Sequence, residues 1–209
     1  MSRYLYLLFL SSILICCNRK TKNSVNEKKQ NCNQELEARI ELWSHSGIDA
    51  TFSKISSGQI GNIKVGNKLE IVLDNLSKKF IVEKDNIESC TGCGECTDIY
   101  YISNPQTHSL LFSLETQSDS INGNRIFRIV TSNPAFKTEN GIAVGVTLKE
   151  LKYNYKIEDI VADGETGLHI LVKGFKGSFG VEWPNNIEIE NINLQTLSDS
   201  LKINEIIIM

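Results

Sequence analysis

The chain reads Ile63-Lys64-Val65-Gly66-Asn67-Lys68-Leu69 and, 79 positions later, Ile142-Ala143-Val144-Gly145-Val146-Thr147-Leu148. The two segments share the leading isoleucine, the valine, the glycine and the closing leucine. In each segment the alternating apolar residues predict a short strand, and the glycine allows the backbone to turn into a helix. The same offset aligns residues 126–130 with residues 205–209, so the sequence predicts a tandem duplication.

A helical pattern follows each of these segments. The first places apolar side chains on one helix face, at Leu69, Val72, Leu73, Leu76 and Phe80. The second has the capping-box form, with Thr147 three residues before Glu150, and its apolar stripe consists of Leu148, Leu151 and Tyr155.

Strands are predicted after the second helix, at residues 156–162, 168–172, 178–183 and 202–209, joined by Gly-rich turns. A further helix is predicted before the first unit, with Leu36, Ile40 and Trp43 along one face. The fold class expected from these patterns is α+β. Two tandem units, at residues 32–136 and 137–209, would each pack a short helix on an antiparallel β-meander.

Residues 63–80 and 142–155 resemble part of a known architecture. Small outer-membrane-assembly lipoproteins and the β-lactamase-inhibitor-protein family use an apolar-x-x-Gly-x-Thr pattern that opens a helix on antiparallel strands. The second segment also looks like exported lipoproteins of uncharacterised function that carry Gly-Ile-x-Val-Gly-x-Thr-Leu. The resemblance implies an exported protein and names no ligand, because a fold does not determine function.

The N-terminus has the features of an export signal. Arg3 precedes an almost wholly apolar run over residues 4–17, and about 14 residues of helix span roughly 21 Å, short of the roughly 30 Å hydrocarbon core. The run ends Leu14-Ile15-Cys16-Cys17, which resembles the lipobox of bacterial lipoproteins. In that family the cysteine is lipidated and becomes the first residue of the mature chain.

Cys17 is the predicted lipidation site, because the residue just before the signal-peptide cleavage site is then the small Cys16. If Cys16 were lipidated, the bulky Ile15 would occupy that position. Residues 1–17 are therefore predicted to be a lipoprotein signal peptide. An ordinary secretory signal or a buried apolar strand is the alternative. The resemblance implies a lipid anchor in the bacterial cell envelope, and the lack of an acidic run after Cys17 favours an outer-membrane protein facing the periplasm.

Charge is distributed unevenly along the chain. Residues 18–30 hold five basic residues and one acidic residue, whereas residues from 31 onward hold 16 Lys or Arg and 24 Asp or Glu. The predicted flexible basic tether, residues 18–31, would sit against anionic headgroups or serve simply as a spacer. The acidic body argues against nucleic-acid binding.

A cysteine cluster, Cys90-Thr91-Gly92-Cys93-Gly94-Glu95-Cys96, has the spacing that opens an iron–sulfur ligand run. The Cys-Pro ending of such a run is missing, and so is the second C-x-x-C pair of a zinc site. In an oxidising compartment, Cys32, Cys90, Cys93 and Cys96 are instead candidates for disulfides, with three connectivities open. A thiol–disulfide redox site, a metal site and free thiols are the alternatives; we expect no metal and no cofactor.

Other polar motifs are weaker. Asp163-Gly164-Glu165-Thr166-Gly167 lacks the spaced ligands of a calcium loop and indicates a hairpin turn. His45, His108 and His169 are scattered, and each is predicted to be structural or solvent-facing.

The sequence favours a non-catalytic, membrane-anchored binding or assembly module of the cell envelope. Its partners would be the membrane, through the lipid, and envelope proteins or an extracellular ligand. An envelope thiol–disulfide redox protein that uses the cysteine cluster is the alternative. A hydrolase with paired carboxylates is a third hypothesis.

Overall fold

The computed structural model describes residues 52–85, 98–117, 123–163, 167–184 and 188–209. Within them the elements in chain order are β1 Lys54–Ser56, β2 Gln59–Ile60, β3 Ile63–Lys64, α1 Leu69–Leu76, β4 Ile81–Lys84, β5 Asp98–Ser103, β6 Leu110–Gln117, β7 Arg125–Thr131, β8 Lys137–Thr138, α2 Leu148–Asn154, β9 Ile157–Asp163, β10 Gly167–Val172, β11 Gly177–Val181 and β12 Ile203–Ile208. A single 3-10 turn, Ile189–Asn191, lies between β11 and β12. The signal peptide, the basic tether and the helix predicted around Ile40 fall outside the described residues.

The strands form two sheets. The larger sheet is antiparallel and has eight strands in the order β4-β5-β6-β7-β12-β11-β10-β9, and the smaller has the order β3-β2-β1-β8. Strands β7 and β12 pair at the centre of the larger sheet, with Ile129 opposite Ile208 and Val130 opposite Ile207. The whole length from β4 to β9 is therefore one continuous hydrogen-bonded ladder.

The predicted α+β fold class is wrong, because the described chain is mainly β. Its 12 strands form two sheets, whereas the two α-helices contain only eight and seven residues. The physical reason is the pairing of β7 with β12, which joins strands from both halves of the chain into one sheet instead of leaving each helix on a meander of its own. Helices this short add little area to the core, and the sheet supplies most of the buried side chains.

Several local predictions are confirmed. Strands β9 to β12 lie within about two residues of the stretches predicted from alternation. Helix α1 buries Leu69, Val72 and Leu76, and Phe80 follows it with 9% of its surface exposed. The predicted apolar face of this helix therefore packs into the core.

The two glycine turns make equivalent contacts with the centre of the sheet. The Gly66 N–H donates to the Ile126 carbonyl at 2.7 Å, and the Gly145 N–H donates to the Ile203 carbonyl at 2.8 Å. Both glycines have positive φ, at 86° and 92°, a conformation that glycine adopts without strain. Ile126 thus corresponds to Ile203, whereas the constant offset of the sequence pairs it with Glu205. The reason is that the chain between the glycine turn and the strand it contacts is two residues shorter in the second half than in the first.

A continuous apolar core joins the helices and both sheets. Its largest fully buried side chains include Phe112, Phe136 and Phe179. The rings of Phe112 and Phe136 meet edge to face with centroids 5.9 Å apart, and Phe52 stacks on Phe80 at 5.1 Å. These aromatic contacts pack the part of the core that lies against α1.

The start of α2 provides a testable pH dependence. The Thr147 side chain accepts from the Glu150 N–H at 3.3 Å, and the Thr147 N–H donates to the Glu150 carboxylate at 2.8 Å, which is the predicted capping box. These hydrogen bonds from Thr147, first the backbone N–H and then the hydroxyl, lower the pKa of Glu150. A lowered pKa means that the carboxylate stabilises the fold above its unfolded pKa and loses that effect as the pH falls through the folded pKa.

We expect Glu150→Gln, which removes the carboxylate that accepts from Thr147, to lower the free energy of unfolding by about 0.5 kcal/mol at neutral pH. The difference in the free energy of unfolding between this variant and the unsubstituted chain should shrink as the pH falls below the ordinary range of a glutamate pKa. Urea unfolding across a pH series measures this, with Lys156→Ala, at an exposed position after α2, as control. A difference that stays constant through the acid range would contradict the assigned role of Glu150.

Candidate functional site

An open groove of about 980 Å³ runs beside α1. Its floor is apolar and consists of Phe52, Ile63, Val72, Leu76 and Phe80. The turn between β2 and β3 forms one wall, with Gly61 and Asn62, and α1 forms the other. Ile71 borders the groove with 61% of its surface exposed, so an apolar side chain of a bound molecule can contact it.

The described lining of the groove includes four cationic side chains and no carboxylate. They are Lys68, Lys78, Lys79 and Arg125. Lys78 is neutralised by Asp74, one turn earlier on α1, at 2.7 Å. Among the described residues, neither Lys68 nor Lys79 has a carboxylate within ion-pair distance. Within the described residues, the groove therefore places two lysines without ion-pair partners, Lys68 and Lys79, beside an apolar floor.

The turn at Gly66 positions the upper end of this groove. The Asn67 side chain accepts from the Lys64 N–H at 2.8 Å, which closes the turn before α1. The Arg125 guanidinium donates to the Gly66 carbonyl at 2.7 Å. The backbones of Lys68 and Arg125 also form an isolated antiparallel β-bridge. Two cations are thus held side by side at the start of the helix.

The charge of the groove is not a requirement of the glycine turn. At the positions 79 residues after Lys68, Ile71 and Lys79, the second segment carries Thr147, Glu150 and Glu158. The equivalent turn before α2 forms without those cations and without the exposed apolar residue. The lysines that flank α1 are therefore not required to form the turn.

A second polar cluster lies on the larger sheet, where His169, Gly180 and Glu205 are opposite one another on β10, β11 and β12. His169 Nδ1 lies 3.4 Å from the Ser178 hydroxyl, and His169 Nε2 lies 4.0 Å from the Glu205 carboxylate. A Cβ on Gly180 would stand 2.5 Å from Glu205 Cγ, so the glycine makes room for the glutamate side chain.

This Ser–His–Glu arrangement does not present an accessible nucleophile. Ser178 is 6% exposed and His169 is 7% exposed, so the hydroxyl is shielded from a solvent-borne substrate. The His–Glu separation exceeds hydrogen-bond length, whereas a triad needs the base held by its third member. On the same sheet, Arg128 Nε donates to the largely buried Glu115 carboxylate at 2.8 Å, which is a structural ion pair.

The residues predicted for lipidation and disulfides, Cys17, Cys32, Cys90, Cys93 and Cys96, lie outside the described residues, as does His45. His108 is exposed in the turn between β5 and β6, and His169 lies in β10, as predicted. In the part of the chain that the structure describes, no three His, Cys, Asp or Glu side chains gather as metal ligands would. None of the described helices has the length and apolarity needed to cross a membrane.

Comparisons with known proteins bear on the fold alone. No protein-family model matches the chain, and no curated protein sequence matches it. The chain is similar to the uncharacterized protein yfeY from Escherichia coli, whose crystal structure superposes with a TM-score of 0.52. The match covers 73% of this chain and 97% of that chain, at 14% sequence identity. At that identity, the match shows a similar arrangement of strands and gives no information on activity.

Proposed function

We propose that this chain is a membrane-anchored, non-catalytic binding module of the bacterial cell envelope, and that the groove beside α1 holds its partner. The observation that carries the binding role is the combination of an apolar floor with Lys68 and Lys79, which have no carboxylate partner among the described residues. Concave sites with an apolar lining and a few convergent polar groups are the usual form of binding sites. The envelope location rests on the lipobox-like residues that end at Cys17.

The anchor is tested by the intact mass of protein extracted from membranes. We expect a chain that begins at Cys17 and carries lipid, and a Cys17→Ala variant that lacks the lipid. Lipidation of Cys16 would add the mass of one cysteine residue. An unmodified chain that still begins at Met1 would contradict the proposed anchor.

The binding role is tested by co-purification from detergent-solubilised membranes. We expect the unsubstituted chain to retain a specific partner and the double variant Lys68→Glu/Lys79→Glu to release it. The matched control is Lys156→Glu/Lys173→Glu, which makes the same change in charge at exposed positions away from the groove. Equal recovery by the groove variant, or no specific partner with any of the chains, would contradict the proposal.

The thiol–disulfide alternative remains a prediction from the sequence, because its cysteines lie outside the described residues. The hydrolase hypothesis also gains no support from the Ser178–His169–Glu205 geometry. We therefore advance the binding role alone.

A further inference from the structure

We infer that the occupant of the groove is an acidic peptide segment of another protein, with carboxylates that contact both ends of α1 and an apolar side chain between them. This inference rests on the proposed binding role and specifies the chemistry of the partner.

The separation of the cations argues for an extended ligand. Lys68 precedes α1 and Lys79 follows it, so the two positions are separated by at least the length of an eight-residue helix, roughly 12 Å. A single phosphate could contact the cations at only one end of the groove, because its donors must lie within hydrogen-bond distance of its own oxygens. Cations at opposite ends of a helix instead suit a chain that carries several separate negative charges.

Both cations nonetheless line the same groove. Lys68 is the N-cap of α1, and Lys79 lies in the turn that follows the helix. Ile71 and Asn75 lie between them and also line the groove. The order along the groove is thus cation, apolar side chain, amide and cation.

The floor specifies the centre of the ligand. Phe52 and Phe80 stack at 5.1 Å, and both line the groove next to Val72 and Leu76. Val72, Leu76 and Phe80 are themselves buried, so the hydrocarbon that an apolar side chain of the ligand would cover is chiefly that of Ile71, which is 61% exposed. Asn67 Oδ1 already accepts from the Lys64 N–H, and Asn75 Nδ2 donates to the Ile71 carbonyl. The Asn67 amide N–H groups can still donate to a peptide backbone, and the Asn75 amide oxygen can still accept from one.

Arg125 adds a fixed contact at one end. Its guanidinium already donates to the Gly66 carbonyl at 2.7 Å, which holds the side chain in place. A guanidinium has five N–H donors, so others remain for a carboxylate. With Lys68 beside it, this end of the groove can hold one acidic side chain, and Lys79 can hold another.

The test measures binding of the full chain to a fluorescein-labelled peptide with the repeat Glu-Leu-Glu-Phe, by fluorescence anisotropy. We expect saturable binding that weakens as salt is added, because the contacts of solvent-exposed charges are screened. Lys68→Glu/Lys79→Glu should weaken the affinity by at least about tenfold. Ile71→Ser should weaken it less, and the control Lys156→Glu/Lys173→Glu should leave it within about twofold.

Three further arms identify the class of ligand. A peptide in which glutamine replaces every glutamate should not bind, and neither inorganic phosphate nor vesicles of phosphatidylglycerol in phosphatidylcholine should displace the acidic peptide. Displacement by phosphate, or stronger binding to the vesicles than to the peptide, would overturn the inference. So would an unchanged affinity of the groove variant.

Failure of this inference is distinguishable from failure of the proposed function. If membranes yield a partner that depends on Lys68 and Lys79 while the acidic peptide does not bind, the binding role stands and the peptide chemistry is wrong. If the peptide binds only at sites unaffected by Lys68→Glu/Lys79→Glu, the groove is not its site.

Discussion

A Gly177→Ala variant is expected to lose at least about 3 kcal/mol of its free energy of unfolding. Gly177 begins β11 opposite Ile208, with a φ of 140°. A Cβ at this position would stand 1.9 Å from the carbonyl oxygen of Ile207 and 3.1 Å from the Cα of Ile208. Both are backbone atoms of β12, so the clash is relieved only if β12 moves away from β11.

The matched control is Gly174→Ala. Gly174 also has a positive φ, at 83°, but a Cβ there would meet nothing within 4 Å. Alanine at Gly174 therefore adds only the strain of a left-handed residue, about 1–2 kcal/mol. Urea unfolding of both variants separates the two effects. Equal destabilisation would show that backbone crowding between β11 and β12 does not limit position 177.

A Phe112→Ala variant is expected to lose about 3–5 kcal/mol. Phe112 is fully buried and contacts Phe136 edge to face, with centroids 5.9 Å apart. It also contacts Phe52 at 5.9 Å, and Phe52 stacks on Phe80 in the floor of the groove. Truncation therefore leaves a cavity beneath the proposed binding site.

Two measurements check this second prediction. In urea unfolding, Phe112→Leu should lose clearly less than Phe112→Ala, because leucine fills much of the volume. Under conditions where both variants are folded, the alanine variant should also bind the Glu-Leu-Glu-Phe peptide more weakly, since Phe52 loses its support. Unfolding midpoints indistinguishable from that of the unsubstituted chain would contradict the described packing of Phe112.

Local structure was largely predictable because short-range physics determines it. The apolar spacing of Leu69, Val72 and Leu76 predicted α1, and the Thr147–Glu150 pair predicted the capping box of α2. Alternation likewise predicted the strands of the second half of the chain. In β6, by contrast, Leu111, Phe112, Leu114 and Glu115 are all buried, so no simple alternation marks that strand.

The fold class was not predictable in the same way. It depends on which strands pair, and the decisive pair joins Ile129 to Ile208, far apart in the chain. Periodicity reports which face of a strand is buried and not which strand lies beside it. The repeated Ile-x-Val-Gly motif suggested two separate units, whereas β7 and β12 merge their strands in one sheet.

The sequence analysis did not predict the groove, because its Lys and Asn residues lie in segments that we interpreted only for their apolar spacing. A signal was present in the sequence, since Lys68, Ile71, Asn75 and Lys79 recur every three or four residues in a row beside the apolar stripe. The comparison with Thr147, Glu150 and Glu158 would have drawn attention to them. Arg125 was not predictable, because strand pairing brings it to the groove.

Photo-crosslinking in intact cells tests whether the groove beside α1 is the binding site of an envelope-anchored protein. A photoreactive amino acid replaces Ile71 in one variant and Tyr153, which is 90% exposed on α2, in a second. We expect a specific adduct to an envelope protein from position 71 that disappears when Lys68→Glu/Lys79→Glu is added, and no such adduct from position 153. An adduct from position 153 alone, or one from position 71 that survives the charge reversal, would contradict the claim.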